Sequence, residues 1–114
     1  EPLAYPQPGE WWQQYTGGIV VIYGISSPPP DELPRRISLR AVMRETETPV
    51  WLEIDAQCPC IFWVRRDNDT YLSGQFVAYY LRTGGTIWVQ PVDDFMGSVG
   101  DAPMFKRVRK VVDA

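Results

Sequence analysis

Histidine is absent from the 114 residues of this sequence, and lysine occurs only at Lys106 and Lys110. Without histidine, the chain cannot build a Ser-His-Asp or Cys-His nucleophile system, a His-ligated zinc site or an imidazole pH switch. Carboxylate chemistry stays open, but Asp93 and Asp94 are adjacent and would point to opposite sides of an extended chain. No Gly-rich phosphate-binding loop is present either. We therefore predict that the protein is not an enzyme and has neither catalytic residues nor a cofactor.

Positive charge is also scarce, since 11 Lys and Arg stand against 14 Asp and Glu, giving a formal net charge of −3. Proteins that bind nucleic acid gain much of their affinity by neutralising phosphates with Lys and Arg. The one basic run, from Lys106 to Lys110, is short and contains Val108, which is typical of the solvated face of a strand. No window approaches the roughly 18 consecutive apolar residues of a membrane span. We predict that this domain neither binds nucleic acid nor inserts into a membrane.

The sequence has two cysteines, Cys58 and Cys60, on either side of Pro59. Structural zinc needs four ligands, and no other cysteine and no histidine could complete such a site. A disulfide between residues i and i+2 would close a small, strained ring. We predict small thiols, buried or half-buried, at the start of a strand and no metal site, with redox chemistry or pairing between chains as the alternative.

Asp67 and Asp69 are spaced like the first ligands of a calcium loop. The later positions lack the oxygen ligands that an EF-hand needs, so we predict a tight turn formed with Asx side chains. Two alternatives stay open at this turn. One is a calcium site completed by Asp93 and Asp94, and the other is an N-glycosylation sequon at Asn68.

Proline is concentrated near the start of the chain, with seven of the 11 prolines in the first 34 residues. Such a stretch favours extended polyproline conformations and resists helix formation. We predict that residues 1–9 are a linker or hinge and that residues 10–114 form a single β domain. A linker at the start, in a chain that begins at Glu1 rather than Met, leads us to expect a longer parent protein.

Short β-branched and aromatic runs alternate with turn signals through the rest of the chain, and no long stretch has a convincing helical period. Such a pattern predicts an all-β fold, an antiparallel β-sandwich or small β-barrel of about seven or eight strands with little or no helix. The predicted strands are Ile19–Ile25, Arg36–Arg44, Val50–Ile54, Cys60–Arg66, Tyr71–Leu72 leading into Gln75–Arg82, Thr86–Gln90 and Met104–Val112.

The strand from Arg36 to Arg44 alternates more clearly than the others. Ile37, Leu39, Ala41 and Met43 lie on one face, and arginines dominate the other. This pattern predicts a strand whose apolar face covers the core and whose cationic face meets water.

Aromatic residues are in surplus, with five Trp, six Tyr and four Phe. Successive residues of a strand face opposite sides, so one of Tyr79 and Tyr80 points outward. Exposed Trp and Tyr are enriched where protein interfaces are strongest. The predicted interface residues are Trp11, Trp12, Tyr79, Tyr80 and Trp88.

The stretch 61–80 resembles part of the protruding domain of nodavirus capsid proteins. It runs from the aromatic strand Ile61-Phe62-Trp63-Val64 through the acidic turn Asp67-Asn68-Asp69 and Gly74 to Val77-Ala78-Tyr79-Tyr80. Fish nodaviruses have a similar aromatic strand, acidic turn, Gly and Val-Ala-Tyr-Tyr. Ile87–Val92 is similar to the apolar strand with Pro-Val that follows there.

This resemblance implies a spike on the virion surface, on a capsid assembled in the host cytoplasm. It implies a homodimer that attaches to a host cell-surface receptor, either a protein or a glycan. The proline-rich start resembles the hinge between shell and spike, and such capsids keep their RNA-binding arginines in an N-terminal arm outside this chain. Because other parts of the sequence depart from the fish pattern, the resemblance implies a crustacean or other invertebrate nodavirus, without the calcium and trimer features of the fish viruses.

Two other classes of function are compatible with the same residues. A cellular or exported β-sandwich module could bind protein or glycan through the surplus aromatics. A small hydrolase could use carboxylates, which would require a carboxylate-lined cleft.

Overall fold

The computed structural model describes residues 5–109 and is mostly β-strand, so the prediction of an all-β fold is confirmed. One short helix, α1 (Val92–Phe95), follows the seventh strand. The ten strands of the described residues are β1 (Trp11–Gln14), β2 (Ile19–Ile25), β3 (Arg36–Met43), β4 (Pro49–Asp55), β5 (Phe62–Arg66), β6 (Phe76–Leu81), β7 (Ile87–Pro91), β8 (Ser98–Val99), β9 (Ala102–Pro103) and β10 (Phe105–Arg109).

Seven of these strands follow predicted ones. The bounds of β2 are those predicted, and the others differ from the prediction by no more than two residues at each described end. Tyr71, predicted as part of a strand, makes only an isolated bridge with Arg65. The predicted end of the last strand, residues 110–112, lies outside the described residues. The strand β1, the helix α1 and the hairpin of β8 and β9 have no counterpart in the prediction.

Eight strands form one sheet in the order β10-β1-β2-β6-β7-β3-β4-β5. Neighbours are antiparallel except β3 and β7, which are parallel where Val42 pairs with Trp88 and Met43 with Val89. The sheet is therefore mixed rather than wholly antiparallel. Its parallel pair arises because the proline-rich segment 26–35 crosses from the end of β2 to the start of β3 instead of turning back as a hairpin.

The central strands bury a different cluster on each face, as β6 shows with Val77 and Tyr79 on one side and Ala78 on the other. The first core cluster consists of Trp12, Val20, Ile22, Val77, Tyr79, Val92, Phe95 and Phe105. The second core cluster consists of Ala41, Val50, Leu52, Ile54, Phe62, Val64, Ala78 and Val89.

The part of the sheet from β2 to β5 curls round the second core cluster. The Ser27 N–H donates to the carbonyl oxygen of Phe62 over 2.9 Å, which brings the end of β2 beside β5. Gly24 makes room for this approach, because a Cβ there would lie only 3.2 Å from a ring carbon of Phe62. Replacing Gly24 with any larger residue would push the Phe62 ring out of place.

The helix α1 covers the first core cluster with Val92 and Phe95, which lie three residues apart and are both buried. The hairpin of β8 and β9 turns at Gly100, whose φ of 61° suits glycine. No helix within residues 5–109 is long and apolar enough to cross a membrane.

The predicted linker, residues 1–9, lies partly outside the described residues. In its described part, Pro6 is fully buried, and the Gly9 N–H donates to the Ile22 carbonyl oxygen over 2.8 Å. Pro6 and Gly9 therefore contact the domain, whereas Tyr5, Gln7 and Pro8 are exposed.

Candidate functional site

Two of the five predicted interface residues are in the core. Tyr79 is fully buried, and its hydroxyl donates to Gln90 Oε1 over 2.8 Å. Burial raises the pKa of Tyr79 to about 12. Trp12 is 5% exposed and donates from its ring nitrogen to Glu10 Oε1 over 3.1 Å. Their side chains stabilise the domain and do not reach its surface.

Trp11 and Tyr80 lie on the surface and share one face of the sheet. The register pairs Trp11 with Val21 and Val21 with Tyr80, and residues paired on neighbouring strands point to the same face. All three side chains are half-buried. The Arg82 guanidinium lies 5.1 Å from the centre of the Trp11 ring. We call Trp11, Val21 and Tyr80 the aromatic row.

Trp88, the fifth predicted residue, lies on the opposite face of the sheet. It pairs with Tyr79 across β6 and β7 and packs against the first core cluster while staying half-buried. The Arg44 guanidinium covers its ring at 5.1 Å. The structure thus groups Trp11 with Tyr80 and separates both from Trp88.

The polar face of β3, β4 and β5 carries an arginine–tryptophan network centred on Trp51. The guanidinium groups of Arg40 and Arg65 lie 4.6 Å and 5.7 Å from the centre of the Trp51 ring. Arg40 donates to both carboxylate oxygens of Asp67, over 2.7 Å and 3.3 Å, and Trp51 donates to one of them over 2.9 Å. The hydrogen bond from Arg40, followed by that from Trp51 and the two arginine charges, outweighs desolvation and lowers the pKa of Asp67.

Glu53 is the buried carboxylate of the same face, only 3% exposed. Arg65 donates to it over 2.8 Å, Ser38 donates to its other oxygen, and Arg36 lies 3.6 Å away. Burial alone would raise the pKa of Glu53, but the hydrogen bonds from Ser38 and Arg65 and the two arginine charges lower it overall. The face that is strongly cationic in sequence is therefore largely neutralised in the fold.

A cleft of about 650 Å³ opens between the turn after β3 and the loop between β5 and β6. Its polar lining includes the carboxylates of Glu45 and Asp67. Among the described residues, no hydrogen bond joins these two side chains. A hydrogen bond with Asp94 raises the pKa of Glu45. The apolar lining of the cleft consists of Met43, Pro49, Val50, Leu72, Phe76 and Pro91.

The acidic turn forms as predicted, with Asn68 Oδ1 accepting from the Thr70 N–H over 3.2 Å and from its hydroxyl over 2.6 Å. Asp69 accepts from Arg65 over 2.9 Å. Asp93 and Asp94 lie in the first turn of α1 instead. In the part of the chain that the structure describes, no three acidic or cysteine side chains form a group that could hold a metal ion.

Cys58 and Cys60 are free thiols whose sulfur atoms lie 3.4 Å apart. Cys58 is half-buried as predicted, but Cys60 is exposed, because it lies in the turn before β5 rather than in the strand. The hydrogen bond with Cys60, followed by desolvation and the nearby charges, raises the pKa of Cys58. The part of the basic run before Lys110 lies on β10, where Arg107 makes an ion pair over 3.0 Å with the buried carboxylate of Glu10. Lys110 lies outside the described residues.

Sequence reasoning missed one surface feature, the exposure of Ile37 and Leu39 on β3. The prediction places both on the core face, and the register confirms that face by pairing them with Ile54 and Leu52. Their side chains are nevertheless 56% and 38% exposed. The sequence does not indicate this exposure, because the exposure of Ile37 and Leu39 depends on which strand lies beside β3.

No protein-family model, no curated protein and no solved structure matches this chain.

Proposed function

We propose that this chain is a β domain that self-associates on the surface of a larger assembly and attaches that assembly to a host cell, as the protruding domain of a nodavirus capsid does. Its partners are a second copy of itself and a cell-surface protein or glycan. In this proposal the domain acts at the virion surface and performs no catalysis.

The aromatic row is the observation that carries the proposal. Trp11 and Tyr80 are rigid, amphipathic side chains held in register by β1, β2 and β6, and Arg82 adds a cation beside them. Tyr, Trp and Arg are the residues most often found at the energetic centre of protein interfaces. A sheet face of this composition is suited to binding another macromolecule.

The resemblance in sequence adds independent support. Residues 61–80 fold as β5, an Asx turn and β6, and Tyr80, at the end of this stretch, belongs to the aromatic row. The part of the chain that resembles a capsid spike is therefore part of the surface on which the proposal rests.

Weak contacts suffice for this function when many copies are displayed together. An isolated domain with a self-association Kd of about 0.1–1 mM gains from neighbouring copies an effective concentration in the millimolar range. The same multiplicity can raise the strength of attachment by a factor of about 10²–10⁴ over a single copy.

The proposal is tested by comparing the isolated domain with a particle that displays many copies. We expect sedimentation equilibrium to show a reversible dimer near 1 mM, and fluorescent particles to bind cultured crustacean cells where the single domain does not. The variant Trp11→Ala/Tyr80→Ala is expected to weaken particle binding at least about tenfold. Tyr15→Ala, which removes an exposed aromatic outside the row, serves as the control. Particles that bind no better than bare particles would contradict attachment.

The cleft supports a second candidate, a cellular or exported module that binds a protein or glycan. Its apolar floor and polar rim are typical of ligand-binding clefts of this size. In that case, peptide or oligosaccharide ligands would shift the NMR resonances of Val50, Leu72 and Phe76 and leave those of the aromatic row unchanged.

A further inference from the structure

Within the sheet, residues 36–40 of β3 have a neighbouring strand on one side only. All of it pairs with β4, but β7 pairs only with Val42 and Met43, farther along the strand. Among the described residues, no strand pairs with the other side of residues 36–40. We call this the free β3 edge.

The hydrogen-bonding groups of the free β3 edge can be assigned from the alternation of the ladder. The Met43 N–H donates to Thr48, and the Arg35 carbonyl accepts from Ala56, so odd-numbered residues of this strand face β4. Because successive residues of a strand point their backbone groups to opposite sides, the N–H and C=O groups of Arg36, Ser38 and Arg40 point away from β4. They form a row of donors and acceptors that can accept a further strand.

Apolar side chains lie beside these backbone donors and acceptors. Ile37 and Leu39 are 56% and 38% exposed and lie on the face that covers the second core cluster. A strand added at the free β3 edge would cover both and extend the apolar core across the contact. Exposed aliphatic residues on an unpaired edge favour pairing with another chain.

The two arginines of the free β3 edge are ion-paired within the chain, which reduces their repulsion of a second copy. Arg40 is held by both oxygens of Asp67, and Arg36 lies 3.6 Å from Glu53. On the edge strand β10, Arg107 is likewise ion-paired, with Glu10, but Lys106 is exposed, and an exposed lysine on an edge discourages edge-to-edge pairing. The edge of β5 is partly covered, because Leu72 donates to Val64 and Tyr71 bridges Arg65.

We propose that the free β3 edges of two copies pair antiparallel about a two-fold axis through Ser38, forming one continuous sheet. This inference rests on the proposed self-association and identifies the surface responsible for it. In this register, Ser38 lies opposite Ser38, Ile37 opposite Leu39 and Arg36 opposite Arg40 of the second copy. Like charges opposite one another weaken a strand pair, and here the ion pairs of Arg36 with Glu53 and of Arg40 with Asp67 reduce that repulsion. The outward backbone groups of Arg36, Ser38 and Arg40 then form about six hydrogen bonds. The backbone groups and the apolar residues of the segment are complementary to those of a second copy, which is why the occupant is a second copy of this chain.

Lysine substitutions test the apolar part of the contact. Ile37→Lys/Leu39→Lys is expected to raise the dimer Kd roughly a hundredfold in sedimentation equilibrium, because the two-fold axis removes each apolar contact twice. Val108→Lys is the matched control, since Val108 is 48% exposed on the edge strand β10. Both proteins should keep the wild-type circular dichroism spectrum. Equal weakening by Val108→Lys would place the contact elsewhere and overturn the inference.

A cross-link tests the register. Residues that exchange hydrogen bonds across an antiparallel pair have Cα atoms about 5.5 Å apart, within the range of a disulfide. In a Cys58→Ser/Cys60→Ser background, Ser38→Cys is expected to give a covalent dimer on mild oxidation with oxidised glutathione. Thr83→Cys, in the exposed turn after β6, should stay monomeric under the same conditions.

The outcomes separate this inference from the proposed function. A dimer that survives Ile37→Lys/Leu39→Lys and gives no Ser38→Cys cross-link overturns edge pairing while self-association stands. A domain that stays monomeric near 1 mM overturns both. A domain that stays monomeric but binds an extended peptide at β3 would show that the edge accepts a different partner, which also overturns the inference.

Discussion

Replacing Phe95 with alanine is expected to lower the free energy of unfolding by about 3–5 kcal/mol. The ring is fully buried on α1 and stacks on Phe105 with ring centres 4.0 Å apart. It also contacts Trp12 edge-on and Tyr79 at a tilt, with ring centres 5.3 Å and 5.6 Å apart. Because α1 has only four residues, the helix contributes little stability of its own and depends on this packing. The substitution therefore leaves a cavity and loosens the helix that covers the first core cluster.

Urea unfolding followed by tryptophan fluorescence measures this effect directly. Tyr15→Ala is the control, since it removes an aromatic ring that is 60% exposed and should change the free energy of unfolding by less than about 0.5 kcal/mol. A loss below about 1 kcal/mol for Phe95→Ala would mean that α1 is not packed as described.

Removing the buried carboxylate in Glu53→Ala is expected to cost about 3 kcal/mol. Glu53 is 3% exposed and accepts from Arg65 and Ser38. Without it, Arg65, whose side chain is only 16% exposed, loses its closest charge partner. Asp67→Asn is the control, because Asp67 is an exposed carboxylate of the same network, and exposed ion pairs contribute little.

The contribution of Glu53 is also expected to depend on pH. Its pKa is lowered in the folded protein, so the carboxylate form is favoured by folding. The resulting stability is present above the pKa of the unfolded state and is lost as the pH falls through the lowered folded value. The difference in unfolding free energy between wild type and Glu53→Gln should therefore shrink in acid. A difference that stays constant from pH 7 down to about pH 3 would contradict this account.

The strands of the fold follow largely from local sequence. Ile19–Ile25 is a β-branched run bounded by glycines and serines, and its predicted bounds are those of β2. Turn residues also mark the ends of the other predicted strands, which differ from the observed bounds by no more than two residues at each described end. Alternation also assigns Ile37 and Leu39 to the correct face of β3.

Elements defined by tertiary contacts did not follow from sequence. The strand Trp11–Gln14 has no alternation of its own and forms because β2 and β10 flank it. Val92–Phe95 is too short to show a helical period and is held by burial of Phe95. The parallel pairing of β3 with β7 depends on a crossover, which local patterns do not encode.

The candidate surface was predictable only in part. Alternation requires Tyr79 and Tyr80 to face opposite sides, and the structure buries Tyr79 and leaves Tyr80 at the surface. Alternation could not predict that Trp12 lies in the core, because β1 was not predicted as a strand. The free β3 edge was beyond prediction, since an unpaired side of a strand is a property of its neighbours.

Amide hydrogen exchange measured by NMR at several protein concentrations tests the central claim of edge pairing most directly. No strand among residues 5–109 pairs with the outward amides of Ser38 and Arg40, whereas the amides of Leu39 and Ala41 face β4. With a Kd of about 0.1–1 mM, we predict that Ser38 and Arg40 exchange quickly at about 10 μM and roughly two- to fivefold more slowly near 1 mM, with Leu39 and Ala41 protected throughout. Fast exchange at Ser38 and Arg40 in a sample shown to be dimeric would contradict it.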